Sequence, residues 1–426
     1  AVHNLYSNQG AMQAIEDMQR DLSQYGGAVA QSQAMIVDED ETDAAPAIRL
    51  VNSIIDRACS ERASDIHIEP GEDSMSIRMR IDGALRFIIP VPRELQRSVI
   101  SRLKIMARMD IAQKMIPQDG RANVTVRQES LDLRISTLPT IQGEKVVIRL
   151  LRKTPELATL EGIGLEGENK ERFRNMVDHS TEGVILVVGP TGSGKTSTLY
   201  TIIDRLKGEE VNLVSLEDPV EYHMDSVCQV QINEKTGLTF ANVLRSVLRQ
   251  DPDIIAVGEI RDGETAEIAM RAAMTGHLVL STIHTNNAVS SIDRLLDIGV
   301  EPYLIAGAVK GIISQRLLRR VCPHCRKPYT PSAEELDALG MLPGDYTFYK
   351  GEGCGECFGT GYRGRTGVFE ILPVTPAIRR AIHGGSLEKL ESAIAAADFS
   401  PIMENCRRRI LDGVTSSEEV FRVLGG

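Results

Sequence analysis

Tryptophan is absent from this sequence of 426 residues, and aromatic residues amount to only 4% of it. A stacking platform for single-stranded nucleic acid therefore has little to be built from. An excess of positive charge is missing too: Lys+Arg number 48 against Asp+Glu 59, a net charge of −11. That excludes a surface that is one phosphate-binding cushion, while leaving room for a local basic groove. No apolar run approaches the ~18 residues that span a bilayer. No signal peptide is visible, and Ala1 in place of Met reads as a chain cut upstream. What is present is globular in character. Hydrophobic residues make up 42%, enough to bury a core, and the length fits two to four domains of roughly 150 residues each.

The cysteines are Cys59, Cys228, Cys322, Cys325, Cys354, Cys357 and Cys406. An odd number without a secretory signal is a poor disulfide framework. Four of them form the pairs Cys322-x-x-Cys325 and Cys354-x-x-Cys357, separated by residues 326–353. Two such knuckles supply four thiolates to a tetrahedral ion, and a soft, closed set favours structural Zn²⁺. His324 in place of one thiolate, an iron–sulfur cluster and plain disulfides are the alternatives. Cys59, Cys228 and Cys406 lack a partner pattern and read as small buried hydrophobes.

Along the chain, Gln13 to Tyr25 is helix-like, and Val37 to Ala45 is an acidic linker. From Pro46 the pattern becomes helix (Ala47–Cys59), alternating strands in ASDIHIEP and MSIRMRIDG, a basic helix from Glu94 to Met109, and strands in LDLRIST and EKVVIRLL. KTPELATLEGIGL reads as a second linker. Beyond it, short apolar strands (GVILVVG, VNLVSLED, DIIAVGE, HLVLSTIHT) alternate with helices, the texture of a parallel sheet covered on both faces.

Gly189-Pro190-Thr191-Gly192-Ser193-Gly194-Lys195-Thr196, with Ser197 next, matches G-x-x-x-x-G-K-[ST] between a strand and a helix. In such a loop backbone N–H groups curl around a β-phosphate and the helix N-terminus adds partial positive charge. Lys195 reaches the β- and γ-phosphates of ATP, and the Thr196 hydroxyl sits on Mg²⁺. Hydrolysis also needs a carboxylate at the end of a neighbouring strand. Glu259, with Asp262 nearby, and Glu217-Asp218, with Glu221 following, are the candidates. His277 and His284 bracket the strand LVLST and, seven residues apart, fall at its opposite ends.

Taken together, the phosphate loop, LEDPVEY, RQDPDIIAVGEIRD and TGHLVLSTIHTN resemble one family, the ATPases of type II secretion and type IV pilus assembly. ASDIHIEP, RMRIDG, PQDGR and DLRISTLPTIQGEKVVIRLL match as well, so the resemblance runs from about Pro46 to the C-terminus with the motif order kept. It implies an α/β fold: a RecA-like P-loop ATPase domain over 167–426, with a small zinc-binding insertion at 320–366. A smaller α+β, PAS-like domain over 46–152 precedes it, joined by a linker at 153–166. Residues 1–45 would be a partial N-terminal segment and acidic linker.

The resemblance also implies roles. Glu259 would polarise the attacking water, and Glu221, with Glu217 and Asp218, would hold Mg²⁺ and water. Arg121 and Arg134 would close onto the γ-phosphate, with Arg78, Arg80 and Arg149 as further candidates. His277 and His284 would couple the site to a domain interface. A ring homo-hexamer, an inner-membrane platform protein and a cytoplasmic, peripherally membrane-associated location are implied. So is a membrane-anchored adaptor, engaged by an N-terminal domain expected to be largely missing from this chain. Assembly and secretion members resemble this chain in having four cysteines, which retraction motors lack. The basic segments Arg97–Lys114 and Gln315–Arg320 read as solvated helix faces or as docking surfaces for these partners. Nucleic acid is not expected as a partner, although a nucleic-acid motor and a non-hydrolysing nucleotide-gated scaffold are the rival readings.

Overall fold

A computed structural model describes residues 44–127, 129–152, 159–385, 387–397 and 399–425. The helix expected at Gln13 to Tyr25 and nearly all of the acidic linker lie outside them. The chain divides into two compact units between Lys153 and Thr154.

The first unit is a six-stranded antiparallel sheet in the order β3-β2-β1-β6-β5-β4. Its strands are β1 (Asp65–Pro70), β2 (Ser74–Ile81), β3 (Ala84–Pro92), β4 (Gln118–Val126), β5 (Glu129–Thr140) and β6 (Gly143–Arg152). Alternation in β2 turns Met75, Ile77, Met79 and Ile81 into the core, because successive side chains of a strand face opposite ways. Helix α1 (Ala44–Ser60) covers that face with Leu50, Val51, Ile54, Ile55 and Ala58, and α2 (Gln96–Met106) adds Val99, Ile100 and Leu103. The basic face expected on α2 is not wholly solvated. Lys104 is buried, ion-paired with Glu144 at 2.6 Å and bonded to the Gln113 carbonyl at 2.7 Å.

Strands β3 and β4 were not legible in the pattern, and both are sheet edges. Pro90 and Pro92 in one and Gly120 in the other suit edge positions, where a missing N–H or side chain costs little.

The second unit begins earlier than the linker reading placed it. Thr159 caps a single helical turn, α3 (Leu160–Ile163), and Leu160, Ile163 and Leu165 are already in its core. After α4 (Gly167–Val177) comes a seven-stranded sheet in the order β15-β12-β7-β11-β10-β8-β9. Its parallel part runs through β7 (Gly183–Val188), β8 (Leu213–Glu217), β9 (Cys228–Gln231), β10 (Ile254–Val257), β11 (Leu278–Ile283) and β12 (Val309–Val321). Strand β15 (Tyr362–Pro373) returns antiparallel beside β12. All six residues of β7 are buried. Val184, Leu186 and Val188 join one core and Ile185 and Val187 the other, which is why the sequence here is apolar without alternation. The helices on the faces are α5 (Lys195–Leu206), α6 (Phe240–Val247), α7 (Gly263–Met274), α8 (Ala288–Asp297) and α9 (Pro302–Ala308).

Between β12 and β15 the chain leaves the sheet for a small module of β13 (Arg326–Tyr329), α10 (Ala333–Ala338) and β14 (Phe348–Gly351). The C-terminal helices are α11 (Pro376–His383), α12 (Leu387–Ala395), α13 (Ile402–Leu411) and α14 (Ser417–Leu424). Cys406, Ile410 and Val420 from α13 and α14 share a cluster with Leu336, Leu339 and Phe348 of the module and Leu318 and Val368 of the sheet.

The second basic segment differs from the helix face expected of it. Gln315–Arg320 is part of β12, not a helix face, and two of its three arginines are engaged within the unit, while Arg320 is exposed. Arg316 donates to the Asn286 carbonyl at 2.9 Å, and Arg319 pairs with the fully buried Glu419 at 2.7 Å. Among the described residues no helix is long and apolar enough to cross a membrane.

Candidate functional site

Four parallel strands deliver their chemistry to one edge of the second sheet. The phosphate loop follows β7, Glu217 ends β8, Glu259 follows β10 and His284 follows β11. In a sheet of this kind the crevice beyond the carboxyl ends of the strands is where ligands sit.

Two glycines make the loop possible. At Gly189 (φ 154°) a Cβ would stand 2.5 Å from the Ser193 hydroxyl, and Gly194 (φ 89°) is left-handed where it opens α5. Lys195 is buried at the first position of the helix, its ammonium donating to the carbonyls of Gly189 at 2.9 Å and Pro190 at 3.2 Å. Burial brings this ammonium down to about 8, against the upward pull of Glu259. Thr191 and Thr196 are exposed on the loop, and Ser197 is half-buried behind them.

His284 links the loop to the carboxylate. Its Nδ1 lies 3.3 Å from Lys195 Nζ and its Nε2 3.4 Å from Oε2 of Glu259. Burial, and then the charge of Lys195, holds the imidazole below its ordinary value, so the ring is neutral at pH 7. The other oxygen of Glu259 accepts from Arg261 at 2.5 Å, and Arg261 also faces Asp218 at 3.6 Å. Lys195, His284, Glu259, Arg261 and Asp218 thus form one charged line across the sheet edge. His277 is not part of it. It precedes β11 at the opposite end and its Nδ1 lies 2.9 Å from the Ala272 carbonyl.

Glu217 behaves unlike its neighbours. It is buried, and its carboxylate accepts from Tyr200, from Ser215 at 2.6 Å and from Gln229 at 3.1 Å. Its oxygens are already committed to the protein. Tyr200 stands on α5, and its phenol also accepts from the Glu221 N–H at 3.2 Å; burial and Glu217 push that phenol's pKa well above its ordinary value. The acidic segment is therefore hung from the helix that opens at the phosphate loop. Asp262 is a cap: it accepts from the Thr265 N–H at 2.8 Å.

In the first unit, Arg121 of β4 stands directly opposite Arg134 of β5, which stands opposite Arg149 of β6. The row continues to Asp65 of β1 and Arg80 of β2, and Asp65 pairs with Arg149 at 3.2 Å and Arg80 at 3.6 Å. Residues opposite one another in a ladder share a face, and like charges there are destabilising. Arg149 is thus engaged by Asp65, while Arg121 and Arg134 stand side by side on the same face of the ladder.

The four cysteines of the module converge. Their sulfurs all lie within 4.8 Å of one another, with Cys322–Cys354 at 3.9 Å, Cys325–Cys357 at 3.8 Å and Cys354–Cys357 at 3.7 Å. None is in a disulfide, and a covalent S–S bond of ~2.05 Å is far shorter. Four sulfurs ~2.3 Å from a central ion define a tetrahedron with edges of about 3.8 Å. The spacing therefore fits a single ion. Burial works against ionisation of Cys357, but N–H donation from Cys354 and Gly361 prevails and lowers its thiol to about 6. Of the other cysteines, Cys406 is buried, with burial raising its thiol to about 12, whereas Cys59 is half-buried. Cys228 departs from expectation and is exposed on the edge strand β9.

Three residues of the site carried no expectation of their own: Tyr200, Arg261 and Gln315, whose amide donates to the Ser193 carbonyl at 2.7 Å. Arg261 lies inside the segment RQDPDIIAVGEIRD. Gln315 is 122 positions from its partner, and no local pattern announces such a contact.

A family model described as "Type II/IV secretion system protein" matches residues 40–422. Type II secretion system protein E of Pseudomonas aeruginosa is 44% identical over 424 residues, covering 98% of this chain and 83% of that protein. Type II secretion system ATPase E of Vibrio cholerae is 42% identical, covering 97% and 82%. Among solved structures, the pilus retraction motor PilT with bound ADP superposes with a TM-score of 0.60 at 28% identity, over 87% of this chain and 96% of that one.

Proposed function

Because the chain belongs to the type II/IV secretion system protein family, we propose that it is a motor ATPase driving assembly in a type II secretion machine. The observation that carries this reading is the line from Lys195 through His284 to Glu259 at one strand edge. It places a phosphate-loop cation and a strand-end carboxylate around a shared imidazole. The RecA-like α/β architecture of the second unit is that of the related ATPases. The curated relatives above are all named for type II secretion, which favours that machine over pilus extension.

In this arrangement residues 189–197 bind the phosphates of ATP. Lys195 leaves the Gly189 and Pro190 carbonyls for the β- and γ-phosphates, and the Thr196 hydroxyl is the protein ligand of Mg²⁺. The ion supplies charge neutralisation across the phosphates. Glu259 orients the attacking water and accepts its proton, with His284 and Arg261 fixing the carboxylate from either side. Glu221 and Asp218 hold the outer shell, and Glu217 anchors their segment. Arg121 and Arg134, neighbours on one face of the first unit's sheet, close onto the γ-phosphate. His277, at the far end of β11, couples the strand to its surroundings.

Cys322, Cys325, Cys354 and Cys357 hold Zn²⁺ as a structural ion. The chain works as a homo-hexamer on the cytoplasmic face of the inner membrane, against a platform protein and a membrane-anchored adaptor.

The test is turnover. Wild-type protein hydrolyses ATP, and Glu259→Gln binds ATP nearly as well but loses at least about a hundredfold in kcat. Equal rates for the two proteins would leave only a nucleotide-gated scaffold. Strong stimulation by DNA at low salt would point to a nucleic-acid motor.

A further inference from the structure

Gln315 is 1% exposed and lies in β12, beside β7 and against the phosphate loop. Its amide Nε2 donates to the Ser193 carbonyl at 2.7 Å. A Cβ on Gly189 would stand 2.6 Å from the Gln315 carbonyl oxygen, and one on Gly194 would stand 3.2 Å from Nε2. The residue therefore touches both ends of the glycine motif. In a trans peptide the C=O and the next N–H point opposite ways. Holding the Ser193 carbonyl toward β12 aims the Gly194 N–H away from it.

The same amide is only half satisfied. Its Oε1 and the neighbouring Ser193 hydroxyl are both buried without a partner among the described residues. Such groups are costly to bury, so stability alone does not explain them.

Seven residues further along the chain, immediately after β12 ends at Val321, is Cys322. Strand β12 runs paired with β15 from Gly311 opposite Pro373 to Val321 opposite Tyr362, with one irregularity after Arg319. Both strands end on the cysteine cluster. Cys322 donates its N–H to the Gly361 carbonyl at 2.8 Å, and the Gly361 N–H faces the Cys357 sulfur at 3.2 Å. A paired strand rises about 3.3 Å per residue, so the cluster and the phosphate loop are joined by roughly 23 Å of stiff backbone. Helix α14 braces its middle through Glu419 and Arg319.

We propose that Gln315 is a positioning residue for nucleotide, and that the four-cysteine module sets nucleotide affinity through β12 and this one amide. The proposal rests on the phosphate-loop reading given above. It assigns the module a task in the ATP cycle besides shaping the surface.

A double-mutant cycle tests it, read by fluorescence titration of a labelled ATP with Mg²⁺ into the full chain. Gln315→Met fills the same volume without the amide and weakens binding by about tenfold, the scale of one buried hydrogen bond. Its kcat at saturating ATP stays within about twofold of wild type, a split that general loosening does not produce. Gln315→Asn, one methylene shorter, moves affinity in the same direction and serves if the methionine variant does not fold. Cys354→Ser/Cys357→Ser weakens binding in the wild-type background by more than about threefold and adds nothing in Gln315→Met. Affinity unchanged by either glutamine variant overturns the positioning role. Equal losses from the cysteine change with and without Gln315 overturn the route through β12. If the wild-type chain itself does not bind MgATP, the phosphate-loop reading fails as well, which separates that failure from this one.

Discussion

Nε2 of His284 lies 3.4 Å from Oε2 of Glu259, and it approaches as the donor. An ammonium has only protons to offer, so the ring nitrogen facing Lys195 at 3.3 Å must accept. That leaves the ring proton on Nε2, pointing at the carboxylate. The phosphate-loop lysine and the strand-end glutamate are thus read by the two nitrogens of one neutral imidazole.

This arrangement predicts an acid limit on turnover. Because the folded pKa of His284 is depressed below 6.5, the stability it contributes is present above about pH 6.5 and is lost as pH falls through the folded value. Protonating Nδ1 sets a cation against Lys195. Wild-type kcat should drop on acidification below about pH 6.5. In His284→Gln, which offers a side-chain N–H without a titrating ring, that limb should flatten, with kcat near neutrality reduced about tenfold. Steady-state rates across this range decide it; an unchanged acid limb in the variant assigns the titration to another group.

Lys195 makes a second prediction. Its ammonium is lowered to about 8, and phosphate oxygens favour its charged form. Near pH 8 roughly half of the unliganded sites lack that proton, so MgATP binding should take up about half a proton per site, falling to about a tenth near pH 7. Calorimetric titration in two buffers of different ionisation heat measures the uptake. A result independent of pH removes the lysine as its source.

Tyr200 and Glu217 give a stability prediction. Tyr200→Phe keeps the edge-on packing against Tyr222 at 4.7 Å and deletes only the hydroxyl bonded to a buried carboxylate. It should cost about 1.5–3 kcal/mol in chemical denaturation, the range for hydrogen bonds to charged groups. Glu217→Ala leaves the Tyr200, Ser215 and Gln229 donors unmatched and should cost more. A loss below about 0.5 kcal/mol in Tyr200→Phe would show the phenol to be incidental.

The metal prediction is compositional. Native mass spectrometry should find one zinc per chain, and Cys354→Ser should lose it together with several degrees of thermal stability. A metal-free wild-type chain purified without chelator would overturn the assignment.

Much of the second unit was legible because its buried strands are short apolar runs set between helices, so β7, β8, β10 and β11 stand out with the chemistry at their ends. The two cysteine knuckles were legible from spacing alone. The edge strands β3 and β4 escaped because prolines and a glycine interrupt their alternation. The stretch Gln315–Arg320 was misread as a helix face, since Leu317 and Leu318 among arginines do not distinguish a half-buried strand from an amphipathic turn. Gln315 and Tyr200 escaped for another reason. Their meaning comes from partners that only the tertiary fold brings close, and a lone amide or phenol carries no periodic signal.

The pairing of Val321 with Tyr362 across the ladder has an architectural consequence. Residues 322–361, 40 in all, leave the sheet and return to it at neighbouring points, so the whole excursion hangs from the sheet like a pendant. A chain lacking it could close β12 onto β15 with a two-residue hairpin and keep every strand in register. What such a chain could not keep is the cover over Leu318, Val368, Cys406, Ile410 and Val420, which Leu336, Leu339 and Phe348 of the excursion provide. Shortening the loop is topologically free, but it obliges the C-terminal helices to be rewritten, so pendant and tail should be gained or lost together.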